Sequence, residues 1–569
     1  HETVARVSDS TVTVTGASAI SAEDKLYSRN LTGAAVAGGG AVGGAFGLTL
    51  SNARVQAELV NSDLTADSLN IVATSGNLNN SDPAVDVHSL SGSVGFTAGL
   101  GAAVGVAVMN NQVNVGLDGN VTTAGLLKGS AQDSQSLQVQ ALGAAAGGGA
   151  GAGLVLGVAA HDSEVSLEVD GSSVLSADDI DLSSTSHGAV NLTGRGAAGG
   201  ILAGINATVL VARDQSRADL ILGNGARLTA ADHLRLNATA SPRIKASSIG
   251  VSLGGYVAAG ASVVDALAKA ATKVSLGNNV VLTARSADIS ANVDRQDDAS
   301  SAEVDALGVS GGFGVSANAV VARAINESES LLESFASTRF NGTGGDWELR
   351  ATSNVHQRAS TEGYAGGLLT VGAHVAEAKA DTRTHALVNG VFDGDIQLLR
   401  VSATALVDNE ARSQAGQGGL VSGAASVANT RDNSVTRAQL LAVGVGGNAA
   451  RFNALQLSAL HTSQFNAFVD SVNASLIGAS GAHAKNSVNV TTESLLQAGS
   501  KIESYAYDQS ADAKVVKAAS SDYNVKSGSG GVLDAAAALS TTTISLATLS
   551  RVGSNASVNL VGDFGTPEH

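Results

Sequence analysis

The chain has 569 residues, 44% of them apolar, with 68 glycines, 3 prolines, no cysteine and only 3% aromatic residues. That apolar content excludes an intrinsically disordered chain, and the missing cysteine excludes disulfides and thiolate metal sites. Lys and Arg number 33 against 50 Asp and Glu, a net charge of −17 without any basic run, which makes nucleic acid and anionic lipid poor partners.

From the amino terminus the chain opens on an alternating strand pattern, with no basic segment followed by an apolar one, so no signal peptide is visible and an interior piece of a longer protein is expected. A glycine-rich run then begins at Gly33 (GAAVAGGGAVGGAFGLTL) and returns from Ser91, Ala141, Gly194, Gly250, Ala306, Gly363 and Gly416, with looser copies near Val472 and Ser527. The run at 141–160, ALGAAAGGGAGAGLVLGVAA, has no charge, proline or polar side chain. Ten such runs interleaved with charged strands do not make membrane spans, since Ala and Gly contribute little to insertion.

After each run the sequence reads as a polar corner and then a short alternating strand, such as RVQAELV at Arg54, SEVSLEV at Ser163 and SRADLIL at Ser216. Val165, Leu167 and Val169 share one face of such a strand while Ser166 and Glu168 share the other. A turn rich in Asn, Asp and Gly follows, and then a third pattern, such as SSVLSADDIDLSS from Ser172 or ARLTAADHLRLNATA from Ala226. The period is roughly 51 to 58 residues, and about ten copies fill the chain. VDALAKAATK and INESESLLESF look helical in isolation but fall in register with strands of neighbouring copies. The expected fold is therefore all-β, a single elongated parallel β-helix (β-solenoid) across 1–569 built from about ten repeats of roughly 53 residues. In it the glycine runs are strands whose inward residues are small because another wall lies close. The period leaves open one wide turn or two narrow ones.

The unit of glycine-rich arm, polar corner, VxLxV, turn and LxAxxLxLxA resembles the repeats of large bacterial filamentous adhesins. It is most similar to leukotoxin-type adhesins exported by two-partner secretion, and more distantly to filamentous haemagglutinin. The resemblance implies a right-handed shaft at the bacterial surface or outside the cell. It also implies a role in adhesion or fibre formation, with a surface ligand or other copies of the chain as partners, and no membrane insertion.

Catalytic and metal signatures are weak. GxSxG occurs around Ser252 and Ser310 and GxGxxG from Gly38 and Gly194, all inside glycine-rich runs without the strand–turn–helix context such motifs need. His374 and His385, the closest histidine pair, are expected in different strands, solvated or at corners. Asp178, Asp179 and Asp181, with Asp294, Asp297 and Asp298, are the densest carboxylates and the only calcium candidates, although no EF-hand or nonapeptide pattern surrounds them. No catalytic residue, cofactor or metal is therefore assigned, and the chain is read as a non-enzyme. A β-helical polysaccharide lyase or hydrolase is the alternative; Trp347 and Tyr364 would serve as sugar platforms if their strands align. TVTVT at Thr11–Thr15 raises ice binding, which needs a threonine ladder that the sequence shows only once.

Overall fold

The computed structural model describes residues 1–76, 83–295, 299–518 and 524–561. Among these residues every regular element is a β-strand except one 3₁₀ turn, Val445–Gly447. The strands belong to one sheet and pair in parallel, which is consistent with a β-solenoid. The two helix-like stretches are strands, within Val257–Ala268, Ala271–Leu276 and Val315–Ser334.

Register shows how wide each circuit of the chain is. Residues 203–222 pair with 150–169 on one side, and 150–169 pair with 98–117 on the other. Ladder partners lie 52 residues apart at Arg6 and Glu58 and 58 apart at Lys245 and Glu303. The chain thus takes more than fifty residues to return to its ladder partner, a single wide circuit. Arg339–Val443 is hydrogen-bonded as strand over 105 residues, too long for a straight segment, so it must wrap while staying in the ladder.

The circuit beginning at Ala150 shows the common plan. An outgoing wall, Ala150–Val169, runs to a turn at 170–173, and a returning wall, Val174–Gly200, leads back to a second turn before Ala203. At the first kind of turn Gly225 has φ 92 and Asn279 φ 58, left-handed positions that glycine and asparagine tolerate best. The two walls face each other: Ser184 Oγ donates to the Val165 carbonyl at 3.0 Å and Ser186 Oγ to Ser163 Oγ at 3.1 Å.

Two expectations are corrected here. The polar segment after the glycine run at 141–160 is not a corner, because HDSEV continues the outgoing strand and its inward–outward alternation without a break, although in the circuit from Val257 the strand is interrupted at 269–270. Nor is a glycine run a single strand. Residues 141–160 end one returning wall, turn at 148–149 and begin the next outgoing wall. The turn is possible there because it needs small residues on both sides, so glycine serves as wall and hinge together.

The interior is layered from one end of the circuit to the other. At the wide end Val165, Leu167, Val169, Leu175, Ile180 and Leu182 join one apolar cluster with their counterparts above and below. A second, smaller cluster holds Ala159, Val190, Leu192, Leu210 and Ala212. Polar residues lie between the two clusters, and beyond the second the walls converge on a narrow seam. In the wide end Phe340 stacks on Phe392 at 4.7 Å, Phe392 meets Phe452 edge-on at 5.4 Å, and Trp347 meets Phe340 edge-on at 5.9 Å.

Candidate functional site

The seam is built from inward-facing small residues. A Cβ on Gly151 would stand 2.1 Å from the Gly199 carbonyl oxygen, and one on Gly101 would stand 2.3 Å from that of Ala144. Facing sheets usually pack about 10 Å apart; here the backbones themselves are in contact distance, and only glycine fits. The expected reason for the small residues holds. Further in, polar side chains reach across onto glycines of the opposite wall: Asn206 onto Gly196, Asn318 onto Gly308 and the His374 ring onto Gly363.

The layer between the two apolar clusters carries buried charge. His161 and Asp214 are ladder neighbours on outgoing walls, with Nδ1 3.1 Å from Asp214 Oδ1. Asp133 approaches from a returning wall, its Oδ2 3.4 Å from His161 Nε2, an ion-pair distance without hydrogen-bond alignment. All three are at most 1% exposed. Ser163 donates to Asp133 at 2.6 Å, Asn111 donates to it at 3.1 Å, and Ser216 donates to Asp214 at 2.6 Å. Gly188 leaves the room that Asp214 occupies, since a Cβ there would meet Asp214 Oδ2 at 2.2 Å. Burial works against a charged imidazole, but the two carboxylates outweigh it and push the His161 pKa up to about 10. A second pair repeats the arrangement: His461 Nε2 lies 3.1 Å from Asp432 Oδ2, Thr436 Oγ1 lies 3.1 Å from His461 Nδ1, and Ser434 donates to Asp432 at 2.5 Å. These groups are buried inside the fold, where His161 offsets charge on the carboxylates beside it and His461 is held by hydrogen-bond-length contacts to Asp432 and Thr436.

The candidates named from sequence are scattered. Asp181 lies on the outer face between Lys128 and Arg235 in the ladder, and Asp179 accepts the His233 backbone N–H at 3.2 Å. Asp178 is exposed at the same bend. Asp294 accepts from the Arg295 backbone N–H at 2.8 Å and from Asn354 at 2.9 Å; Asp297 and Asp298 lie outside the described residues. Among the described residues no group of three or more His, Cys, Asp or Glu side chains is arranged to hold a metal ion. Ser252 and Ser310 are ladder partners buried in the seam, and Ser310 accepts from Ser316 at 2.8 Å.

His374 and His385 lie on one outgoing wall, contrary to expectation, pairing with Val320 and Leu331 of Val315–Ser334, and point to opposite sides; His374 is buried, not solvated. Trp347 is wholly buried in the wide end while Tyr364 is 45% exposed elsewhere, so the two do not form a common platform. The threonine ladder is longer than the sequence suggested. Thr13, Thr65, Thr122, Ser176, Thr229, Thr283 and Asn341 stack in one outward column. The column beside it mixes Thr11, Asp63, Asn120, Val174 and Arg227, which breaks the flat two-column face ice binding needs.

The outer surface divides in two. Around the wide half it is polar, with Asn110, Gln112, Asn114, Gln138 and Gln140 facing out in one circuit, whereas around the seam Leu100, Val104, Val106, Leu142 and Ala144 face out. Most turns at the narrow edge add one or two exposed apolar residues, among them Phe96, Ile201, Tyr256, Phe313, Leu368 and Val532. On the returning side a shallow apolar trough of 770 Å³ has Ala35, Gly92, Ala144 and Ala197 along its floor and Arg195 as its one charge. No helix of the described residues is long and apolar enough to cross a membrane. Compared with known proteins, the chain matches no family model, no curated protein and no solved structure.

Proposed function

We propose that the chain is a structural shaft, a right-handed β-solenoid of about ten repeats of roughly 53 residues, that projects an adhesive or toxic module from a bacterial surface or takes part in a fibre. The observation that carries this reading is the seam. A circuit closed by backbone contact and flanked above and below by equivalent circuits gives a thin rod whose stability spreads along its length as nearest-neighbour terms. The buried ionic groups add internal ties without offering a cleft. The alternative of a polysaccharide lyase draws no support from Trp347, whose indole is enclosed. At about 4.8 Å per circuit the shaft is about 50 Å long for ten circuits.

Electron microscopy of the purified protein, with antibody labelling of producing cells, tests the proposal. Thin rods and surface labelling are expected. Compact particles, labelling confined to the cell interior, or cleavage of polysaccharides would overturn it.

A further inference from the structure

We propose that the outer face of the outgoing walls, in the half that flanks the seam, is an interface with a second copy of this chain. The face is a set of in-register columns. Phe46, Val104, Leu156, Val209, Val263, Val321 and Val375 form one column over seven consecutive circuits. The column beside it, nearer the edge, holds only small or apolar residues: Gly44, Ala102, Leu154, Ala207, Ala261, Ala319 and Ala373. The next holds Leu100, Ala152, Ile205, Ala259, Ala317 and Val371. On the far side of the valine column lies Leu48, Val106, Val158 and Val211, which gives way to Asp265, Arg323 and Glu377. There Arg323 pairs with Asp265 at 3.7 Å.

An apolar centre with charges confined to one border has the anatomy of a protein interface. Its size fits as well. Three columns at about 6.7 Å and seven circuits at about 4.8 Å make a face of about 700 Å², near the roughly 800 Å² per partner of a specific complex. A monomer rarely leaves an apolar patch larger than about 600 Å² in water. A second sheet presenting the same flat, β-branched surface covers it by face-to-face packing, with the alanine column admitting close approach. A lipid surface fits less well, because the chain carries a net charge of −17 and the border offers acidic groups beside Arg323. This inference does not rest on the shaft reading, since a pair of side-by-side solenoids is expected whatever the pair does.

Sedimentation of the whole chain tests it, with the double variant Val209→Glu/Val321→Glu as the probe. The native chain is expected to sediment as a dimer, more strongly at high salt because the net charge repels. The variant is expected to raise the dimer dissociation constant at least roughly tenfold while keeping the β-type circular dichroism spectrum. Should that variant fail to fold, Val209→Thr/Val321→Thr keeps the β-branched shape and is expected to weaken the dimer in the same direction. A native chain that stays monomeric at every concentration overturns the proposal, as does a dimer that both folded variants leave unchanged. Native monomers that bind neutral phosphatidylcholine vesicles, with the variant released, overturn it in favour of a lipid partner.

Discussion

A methyl group on Gly151 would press against the carbonyl oxygen of Gly199, 2.1 Å away on the facing wall, whereas a methyl group on Gly199 would meet nothing within 4 Å. The two glycines are opposed in space but point in different senses, one into the seam and one out of it. Gly151→Ala is therefore expected to force the walls apart and destabilise the protein by about 1–3 kcal/mol. Gly199→Ala is expected to be neutral or slightly stabilising, because it only restricts the unfolded chain. Urea denaturation of the two variants checks this; equal midpoints would show that the seam is looser than described.

His161 sets one positive charge between two carboxylates that have no access to water. His161→Gln removes the cation and leaves Asp133 and Asp214 buried beside each other, a situation that costs about 3–5 kcal/mol. Replacing all three with apolar residues of similar volume is expected to recover most of that loss. The urea midpoints of the single and triple variants decide the matter. A single variant as stable as the native chain would mean the carboxylates are already uncharged.

Stability should fall on both sides of neutrality, for opposite reasons. Burial holds the His374 pKa down to about 4, and burial with the charges of Arg437 and Arg383 holds that of His385 down to about 4. Both fold neutral, so their contribution is complete above about pH 6.5 and is lost as pH falls toward 4, at up to about 1.4 kcal/mol per unit for each group. His161 has the reverse sign: with its pKa at about 10, its contribution is complete below about 6.5 and disappears as pH rises toward 10. Thermal midpoints across pH 4–10 should peak near neutrality, and His374→Gln should flatten the acid limb alone.

The aromatic column at the wide end offers a local probe. Phe392 sits between Phe340 and Phe452 in three successive circuits, so Phe392→Ala opens a cavity in a core that is mostly aliphatic and is expected to cost about 3–5 kcal/mol. Trp347 is the only tryptophan and is one contact away, through Phe340. Its emission is expected to redden at lower denaturant in the variant than in the native chain. An unchanged emission transition would mean that the rings do not support one another.

Much of this architecture was legible in the sequence. The all-β character, the strand parity of Val165, Leu167 and Val169, and the reason for small inward residues near a facing wall carry through to the structure. The internal turn of each glycine run was not legible, because glycine is equally suited to a crowded wall and to a tight bend, and nothing in GAAAGGGAGAG distinguishes the two. The buried polar layer was readable but overlooked. Extending the inward parity of Val165 back along the strand passes through Ser163 to His161. The same step from Leu220 passes through Ala218 and Ser216 to Asp214, and from Leu457 through Ala459 to His461. Polar character suggested a corner, but parity continued unbroken, and parity follows the backbone while polarity follows only the local need for a partner. Which carboxylate meets which imidazole depends on pairings 28 to 53 residues apart in the chain and is set by the register of the walls.

The seam also constrains how such a chain can change its length. From residue 153 to 372 the residues at one seam position alternate: Gly153, Asn206, Gly260, Asn318, Gly372. The amide oxygen of Asn206 leans 3.1 Å from the place a Cβ of Gly153 would fill, so each asparagine occupies space vacated by the circuit next to it. Loss or gain of one circuit in this region would set two asparagines side by side, or leave two glycines with nothing between them. Loss or gain of two would restore the order. Because this column already stacks Gly43, Gly101 and Gly153 in consecutive circuits, a circuit carrying the asparagine can be lost singly, whereas loss of one carrying the glycine brings two amides together.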